Sequence, residues 1–201
     1  PVTEYKLYLP EGYEKQDQWP LLIFLHGSGE RGSDIDLVSK HGPLKEAREG
    51  KTMPFIIVAP QLPHGRRWEG HEVSYLVDEI ISQYDVDPQR VYLTGLSLGG
   101  EGVWSAAYAS PEKYAAIIPV CGRSLKPESA SEIAHIPTWI FHGEDDRVVP
   151  VQESTMMYDA LKNAGDKVKI TLYENTGHDS WSETYSNPDI YDWLLDHQLD
   201  N

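Results

Sequence analysis

Short apolar runs, separated by polar and glycine-rich segments, recur along the whole chain. Residues 21–25 (LLIFL) and 55–59 (FIIVA) are continuous apolar runs, which are typical of strands buried on both faces of a parallel sheet. Residues 2–9 alternate roughly between apolar and polar side chains and predict an edge strand. In all, the pattern predicts strands at residues 2–9, 21–25, 55–59, 91–94, 115–120, 138–141 and 168–173.

A helical period of apolar positions lies between several of these runs. The clearest case is an amphipathic helix ending before Asp87 and Pro88. Further helices are predicted at residues 98–109 and 153–164, and residues 39–50 predict a short helix or loop. The amphipathic helix is defined by Val73, Leu76, Val77, Ile80, Ile81 and Tyr84. A final helix is marked by Pro188, Ile190, Trp193, Leu194 and Leu199.

Strands that alternate with helices predict an α/β fold, with a mostly parallel central sheet and helices on both faces. The chain has 201 residues, and neither a repeat nor a linker divides it. That length is enough for one substantial core, so we expect a single domain over residues 1–201. Sites in such sheets lie at the carboxyl ends of the strands. Side chains that directly follow a strand are therefore the first candidates for function.

Residues 91–105 (VYLTGLSLGGEGVWS) combine a predicted strand, a tight turn and the start of a helix. The turn carries Gly95-Leu96-Ser97-Leu98-Gly99, the G-x-S-x-G pattern of a nucleophile elbow. Glycines on both sides of Ser97 remove the Cβ atoms that would collide in such a turn. The positive end of the following helix would stabilise an oxyanion beside Ser97. We therefore predict Ser97 as a nucleophile, against the alternative of an incidental serine in a glycine-rich turn.

A nucleophilic serine needs a base, and an acid in turn holds that base. The motif predicts the chain order serine, acid, histidine. His178 is the candidate base because it follows the last predicted strand, in a loop that can return over the sheet edge. The acid is expected after the strand at residues 138–141, where Asp145 and Asp146 are adjacent, and residue types alone do not separate the two. The other histidines after Ser97 are His135, His142 and His197.

Two backbone amides are predicted to bind the oxyanion. The first is the amide of Leu98, directly after the nucleophile. The second is expected in the loop after the strand at residues 21–25, and we assign it to Ser28 in the segment HGSGERG. A cluster of turn glycines without a catalytic role is the alternative for that segment.

Acidic residues outnumber basic residues by 32 to 17, which gives a net charge of −15. This charge argues against nucleic acid and anionic membranes as partners, because phosphates would be repelled. No run approaches the ~18 apolar residues of a membrane span, and no signal peptide is recognisable. The chain begins at Pro1 without methionine, so a mature form and a domain of a larger secreted protein are both compatible with the sequence. Cys121 is the one cysteine and is expected to be a buried small residue.

Several segments resemble α/β-hydrolases of the small serine esterase kind: the phospholipase/carboxylesterase, dienelactone-hydrolase-like and polyhydroxybutyrate-depolymerase-like groups, which include members labelled predicted peptidases. The resemblance implies the α/β-hydrolase fold with no large lid. It places the acid on Asp146 and completes a triad of Ser97, Asp146 and His178. Dienelactone hydrolases proper use a cysteine nucleophile, so Ser97 favours a plain esterase. The matching segments are YLPEGY at 8–13, LHGSGERG at 25–32, APQ at 59–61, GLSLGG at 95–100, HGEDDRVVP at 142–150 and GHDSW at 177–181.

The resemblance implies a carboxylesterase-type serine hydrolase that acts on small, short-acyl ester substrates through an acyl-enzyme. Its mechanism requires no metal and no cofactor, and the chain has neither H-E-x-x-H nor C-x-x-C. The short connection at residues 122–137, where a lid would lie, favours a small soluble ester over lipid.

Substrate contacts and alternative functions are less constrained by the sequence. Trp68 and Trp181 are predicted to line a substrate pocket, with loop anchoring as the alternative, and the roles of Arg31 and His41 stay open. A serine peptidase, an acetyl or feruloyl esterase of plant polysaccharide, and a binding module without catalysis are the alternative functions. The sequence does not determine the oligomeric state.

Overall fold

One seven-stranded sheet lies at the centre of the computed structural model, which describes residues 4–200. Its strands are β1 (Tyr5–Tyr8), β2 (Trp19–Leu25), β3 (Ile56–Pro60), β4 (Val86–Leu96), β5 (Ala116–Val120), β6 (Thr138–Gly143) and β7 (Val168–Tyr173). They lie in the order β1-β3-β2-β4-β5-β6-β7. β1 pairs antiparallel with β3, and every other pair of neighbours is parallel. The predicted mostly parallel sheet is thus confirmed.

Helices cover both faces of the sheet. Those in residues 4–200 are α1 (Pro43–Arg48), α2 (Gly70–Gln83), α3 (Leu98–Ala109), α4 (Gln152–Ala164), α5 (Trp181–Ser186) and α6 (Pro188–Leu195). Buried side chains of α2, α3 and α4 share one core cluster with the sheet, and those of α1, α5 and α6 share the other. This two-sided cover is what the alternation of strands and helices predicts.

Successive side chains of β2 alternate between the two core clusters. Leu21, Ile23 and Leu25 belong to the cluster of α2, α3 and α4, whereas Leu22 and Phe24 belong to the opposite one. All five are at most 1% exposed, and burying one such side chain contributes about 1.5–3 kcal/mol. The continuous apolar run of β2 therefore reflects a strand with no solvent-facing side, and its carboxyl end leads directly into the predicted oxyanion loop.

The amphipathic helix starts earlier than its apolar period predicts. The carboxylate of Glu69 accepts hydrogen bonds from the amides of His71 and Glu72, each at 3.1 Å. This capping satisfies donors that a helix start leaves without partners, so α2 begins at Gly70. At its other end α2 stops at Gln83, and Tyr84 is already extended.

Other boundaries differ from the predictions for local reasons. β4 begins at Val86, so Asp87 and Pro88 lie in a strand instead of ending a helix. Proline is tolerated there because the pairing of β2 with β4 is irregular in that stretch. α5 was not predicted, and Leu199 lies beyond α6. Residues 2 and 3 of the predicted first strand lie outside the described residues.

The connection between β5 and β6 folds as a short 3-10 helix, Pro127–Glu132. It packs beside α4. Within residues 4–200, none of the helices has both the length and the apolar character needed to cross a membrane.

Candidate active site

Ser97 occupies a sharp turn between β4 and α3. Its backbone has φ 54° and ψ −113°, a conformation that costs a non-glycine residue on the order of 1–3 kcal/mol. Its amide donates a 2.8 Å hydrogen bond to the carbonyl of Val120 at the end of β5, which holds the strained turn against the sheet. The side chain is thereby presented at the carboxyl end of the sheet, ahead of the first turn of α3.

Two glycines allow this turn because strand and helix come very close together. A Cβ on Gly99 would lie 1.9 Å from the carbonyl oxygen of Leu25, and one on Gly95 would lie 2.4 Å from the carbonyl oxygen of Gly99. Both distances are far below van der Waals contact, and in each case the obstacle is backbone. The glycines of the motif are therefore required by packing.

Replacing Gly99 by alanine is expected to lower the free energy of unfolding by at least about 3 kcal/mol, because α3 or β2 must move to accept the methyl group. Urea unfolding followed by circular dichroism measures this loss. Gly177→Ala is the matched control, since a Cβ at Gly177 meets nothing within 4 Å. Equal losses in the two variants would contradict the close approach of α3 to β2.

The structure brings Ser97, His178 and Asp146 into one hydrogen-bonded relay. Ser97 Oγ lies 2.9 Å from His178 Nε2, and His178 Nδ1 lies 2.8 Å from Asp146 Oδ2. An ionised carboxylate only accepts, so Nδ1 carries the proton and Nε2 is free to accept from the hydroxyl. His178 lies in the loop after β7, where the chain order of the motif places it.

Asp146 is held more firmly than its neighbour Asp145. Its Oδ1 accepts from the amides of Val148 and Val149, both at 2.9 Å. Burial opposes ionisation of Asp146, but the hydrogen bonds from His178 and these two amides outweigh it and keep the pKa of this carboxyl below its usual value. Asp145 is exposed. These contacts distinguish Asp146 from Asp145, which residue types alone do not.

Ser28 and Leu98, predicted as oxyanion donors, both border the pocket at Ser97. This pocket measures about 160 Å³ and is lined by Ser28, Arg67, Ser97, Leu98, Glu101, Arg123, Val148 and Val149. Leu98 is the first residue of α3, so its amide has no acceptor within the helix. Arg67 pairs with Glu101 at 2.6 Å. The pocket therefore combines a wall of two valines with a charged rim.

Buried polar contacts hold the loop that carries Ser28. The amide of Leu62 donates to His26 Nε2 at 3.0 Å, and His26 Nδ1 lies 2.6 Å from the carbonyl of Gly27. The amide of Gly27 donates to the carboxylate of Glu30 at 3.1 Å, and Gln61 donates to the carbonyl of Glu30 at 2.8 Å. Sequence reasoning missed the anchoring role of the His26, Glu30 and Gln61 side chains, although all three lie in the HGSGERG and APQ segments.

Trp68 belongs to the same anchoring system and does not line the pocket at Ser97. It is 6% exposed, and its Nε1 donates to the carbonyl of His26 at 3.0 Å. The prediction that Trp68 lines a substrate pocket is therefore corrected to its alternative, a loop anchor. Arg31 has a related role, since its Nε donates to the carbonyl of Ser28 at 3.1 Å.

Trp181 lies beside the relay. Its ring meets the imidazole of His178 edge to face, with centroids 5.3 Å apart, and lies equally far from the ring of His41. Burial lowers the pKa of His41, which favours its neutral form against the indole. Trp181 thus stays a candidate substrate contact, next to the reacting atoms but outside the pocket bordered by Ser28.

Cys121 lies close to the relay but has the properties of an inert thiol. Its Sγ and donor atoms of Asp146 and His178 lie within 4.8 Å of one another, the one such group found in residues 4–200 that could hold a metal ion. Asp146 and His178 are already hydrogen-bonded to each other, which occupies two of the side chains that would have to bind the metal. Burial raises the pKa of Cys121 to about 12, so the thiolate that a metal prefers is not formed near neutrality. We therefore assign no metal to these residues.

Several known proteins of similar sequence and structure are named as esterases. The profile of the phospholipase/carboxylesterase family matches residues 69–191. The bifunctional acetylxylan esterase/xylanase XynS20E of Neocallimastix patriciarum is 26% identical over 181 residues, which cover 87% of this chain and 26% of that protein. The probable feruloyl esterase C of Aspergillus terreus is 31% identical over 160 residues, 74% of this chain and 56% of that protein.

Among solved structures, a thermostable esterase superposes with a TM-score of 0.88 at 34% sequence identity, over 96% of this chain and 59% of its own. The chain thus spans only about a quarter to just over half of the length of the two relatives and this esterase. The family profile covers well over half of the 201 residues and includes the nucleophile elbow and the loops after β6 and β7. The chain belongs to the phospholipase/carboxylesterase family, a group of esterases with the α/β-hydrolase fold.

Proposed function

We propose that the chain is a serine carboxylic ester hydrolase in which Ser97, His178 and Asp146 form the catalytic triad. Ser97 Oγ attacks the ester carbonyl carbon while His178 Nε2 takes its proton. The resulting imidazolium gives that proton to the leaving alcohol, which departs and leaves an acyl group on Ser97. Water then attacks the acyl-enzyme by the same steps and releases the acid.

The observation that carries this proposal is the unbroken relay from Ser97 Oγ through the imidazole to the buried carboxylate, at 2.9 Å and 2.8 Å. Asp146 fixes the tautomer that leaves Nε2 able to accept, and its negative charge stabilises the imidazolium formed during attack. We assign the oxyanion to the amides of Ser28 and Leu98, which border the same pocket. Fixed amides at that place cost no reorganisation when the charge develops.

Small, short-acyl esters are the proposed substrates. The pocket of about 160 Å³ is small, and the short connection between β5 and β6 supplies no cover for a long acyl chain. Activity on p-nitrophenyl acetate, butyrate, octanoate and palmitate is therefore expected to fall with chain length. A preference for palmitate would contradict the assignment, and cleavage of a matched p-nitroanilide at a comparable rate would favour a serine peptidase.

An acetyl or feruloyl esterase of plant polysaccharide is the second candidate. The observation in its favour is the set of relatives, since the names of both XynS20E and feruloyl esterase C include such esterases. The chemistry would be the same, and only the alcohol or acyl part would differ. Release of acetate from acetylated xylan, or of ferulate from methyl ferulate, at a higher kcat/KM than p-nitrophenyl acetate would select this candidate.

A further inference from the structure

His142, at the end of β6, contacts the carboxylate that holds the proposed base. Its side chain is fully buried. Nε2 lies 2.8 Å from the carbonyl oxygen of Val149 and 3.2 Å from Asp146 Oδ2. Nδ1 lies 2.6 Å from Ser154 Oγ, at the start of α4. Each ring nitrogen therefore has a polar partner.

These partners determine which nitrogen of His142 carries the proton. A carbonyl oxygen only accepts, so Nε2 carries the proton and donates it to Val149. Asp146 Oδ2 lies 3.2 Å from the same nitrogen, on the side of this N–H dipole. Nδ1 then accepts from the hydroxyl of Ser154 in the neutral ring. Burial lowers the pKa of His142, although the hydrogen bond to Val149 opposes this. The ring is thus a neutral donor at neutral pH.

Asp146 consequently receives N–H groups on both oxygens. Oδ1 takes the amides of Val148 and Val149, and Oδ2 faces both His178 Nδ1 and His142 Nε2. A carboxylate that accepts three hydrogen bonds, with the N–H-bearing Nε2 of His142 in contact on the same side as His178, is held in one orientation. Among residues 4–200, His142 and His178 contact this carboxylate, and the protonated thiol of Cys121 lies within 4.8 Å of it.

We propose that His142 is a positioning residue that acts through Asp146. It holds Oδ2 toward His178, and its N–H dipole stabilises part of the negative charge of the carboxylate. This inference rests on the proposed triad and adds a second histidine to it. Without the N–H of His142, the carboxylate would be freer to turn and its full charge would act on His178. Turnover would fall, and the pH dependence of kcat/KM would change.

The test compares His142→Leu, which removes the donor, with His142→Gln, whose amide can place an N–H near the site of Nε2. His142→Leu is expected to lower kcat on p-nitrophenyl acetate by about 10- to 100-fold with KM nearly unchanged. The acid limb of its kcat/KM profile should shift in pH. His142→Gln should recover most of kcat and the position of that limb.

A merely structural role for His142 would give a different result. Ile80→Ala is the control, because Ile80 is fully buried on α2 and has no part in the site. It should lower the melting temperature and leave the pH profile unchanged. A folded His142→Leu with wild-type kcat and acid limb, or a Gln variant no better than Leu, would overturn the inference. Inactive wild-type protein, or an active Ser97→Ala variant, would instead overturn the proposed function.

A measurement on the unaltered protein keeps the inference testable if the leucine variant does not fold. Nitrogen-15 NMR of labelled histidines reports which ring nitrogen is protonated. We expect His142 to carry its proton on Nε2 and to stay neutral at neutral pH. A proton on Nδ1 alone would exclude donation to Asp146 and overturn the inference.

Discussion

Ser97→Ala is expected to lower kcat on p-nitrophenyl acetate by a factor on the order of 10⁴ or more. The substitution removes the one oxygen that lies 2.9 Å from His178 Nε2, and with it the acyl-enzyme. Any residual rate would come from the oxyanion amides and substrate binding alone. Steady-state kinetics measure the loss, and a fluorophosphonate probe should label the wild type and leave the variant unlabelled.

Ser82→Ala is the matched control for this experiment. Ser82 is exposed near the end of α2, where its hydroxyl donates to the carbonyl of Glu79 at 2.7 Å. The control removes the same atom from the same residue type away from the site, and its activity should equal that of the wild type. Retained activity in a clean preparation of Ser97→Ala would exclude Ser97 as the nucleophile.

Asp146→Asn is expected to lower kcat by about 10⁴, because the amide disturbs the tautomer of His178. An asparagine NH₂ facing Nδ1 would favour the ring form whose Nδ1 accepts, and Nε2 could then no longer take the proton of Ser97. Buried Asp146 also accepts from Val148 and Val149, so circular dichroism must show that the variant is folded before the kinetics are compared.

Asp145→Asn provides the comparison, with the same chemical change one residue away. The side chain of Asp145 is exposed, and its kcat should stay within about threefold of the wild type, as for most surface substitutions. Reversed ranking of the two variants would identify Asp145 as the acid. Equal, large losses would point to a disturbed loop after β6.

Local sequence patterns were enough to predict much of the fold. The apolar run of β2 predicted a strand buried on both faces because no side of that strand meets water, and the bounds of α3 and β7 match the predicted ranges. Errors arose where tertiary pairing overrode local signals. Pro88 marks an end by local rules, yet it lies within β4. α5 is only six residues long, too short to show a helical period.

Part of the candidate site could likewise be predicted from local sequence, and part depends on contacts between residues far apart in the chain. A motif of five residues identified Ser97 and its glycines, because a tight turn imposes its requirements on adjacent positions. Chain order and strand ends were enough to select His178. Residue types left Asp145 and Asp146 equivalent, and the resemblance to known esterases was needed to choose between them before contacts were available.

The sequence by itself determined the α/β architecture, the elbow at Ser97 and the loops from which its partners come. These features depend on periodicity and on neighbours along the chain. The tertiary structure showed directly that Asp146 contacts His178, and it alone decided that Trp68 anchors a loop and that His142 lies 3.2 Å from Asp146 Oδ2. The physical reason is that hydrogen bonds and burial depend on the distances between atoms that folding brings together, and residues far apart in sequence leave no local pattern of those distances.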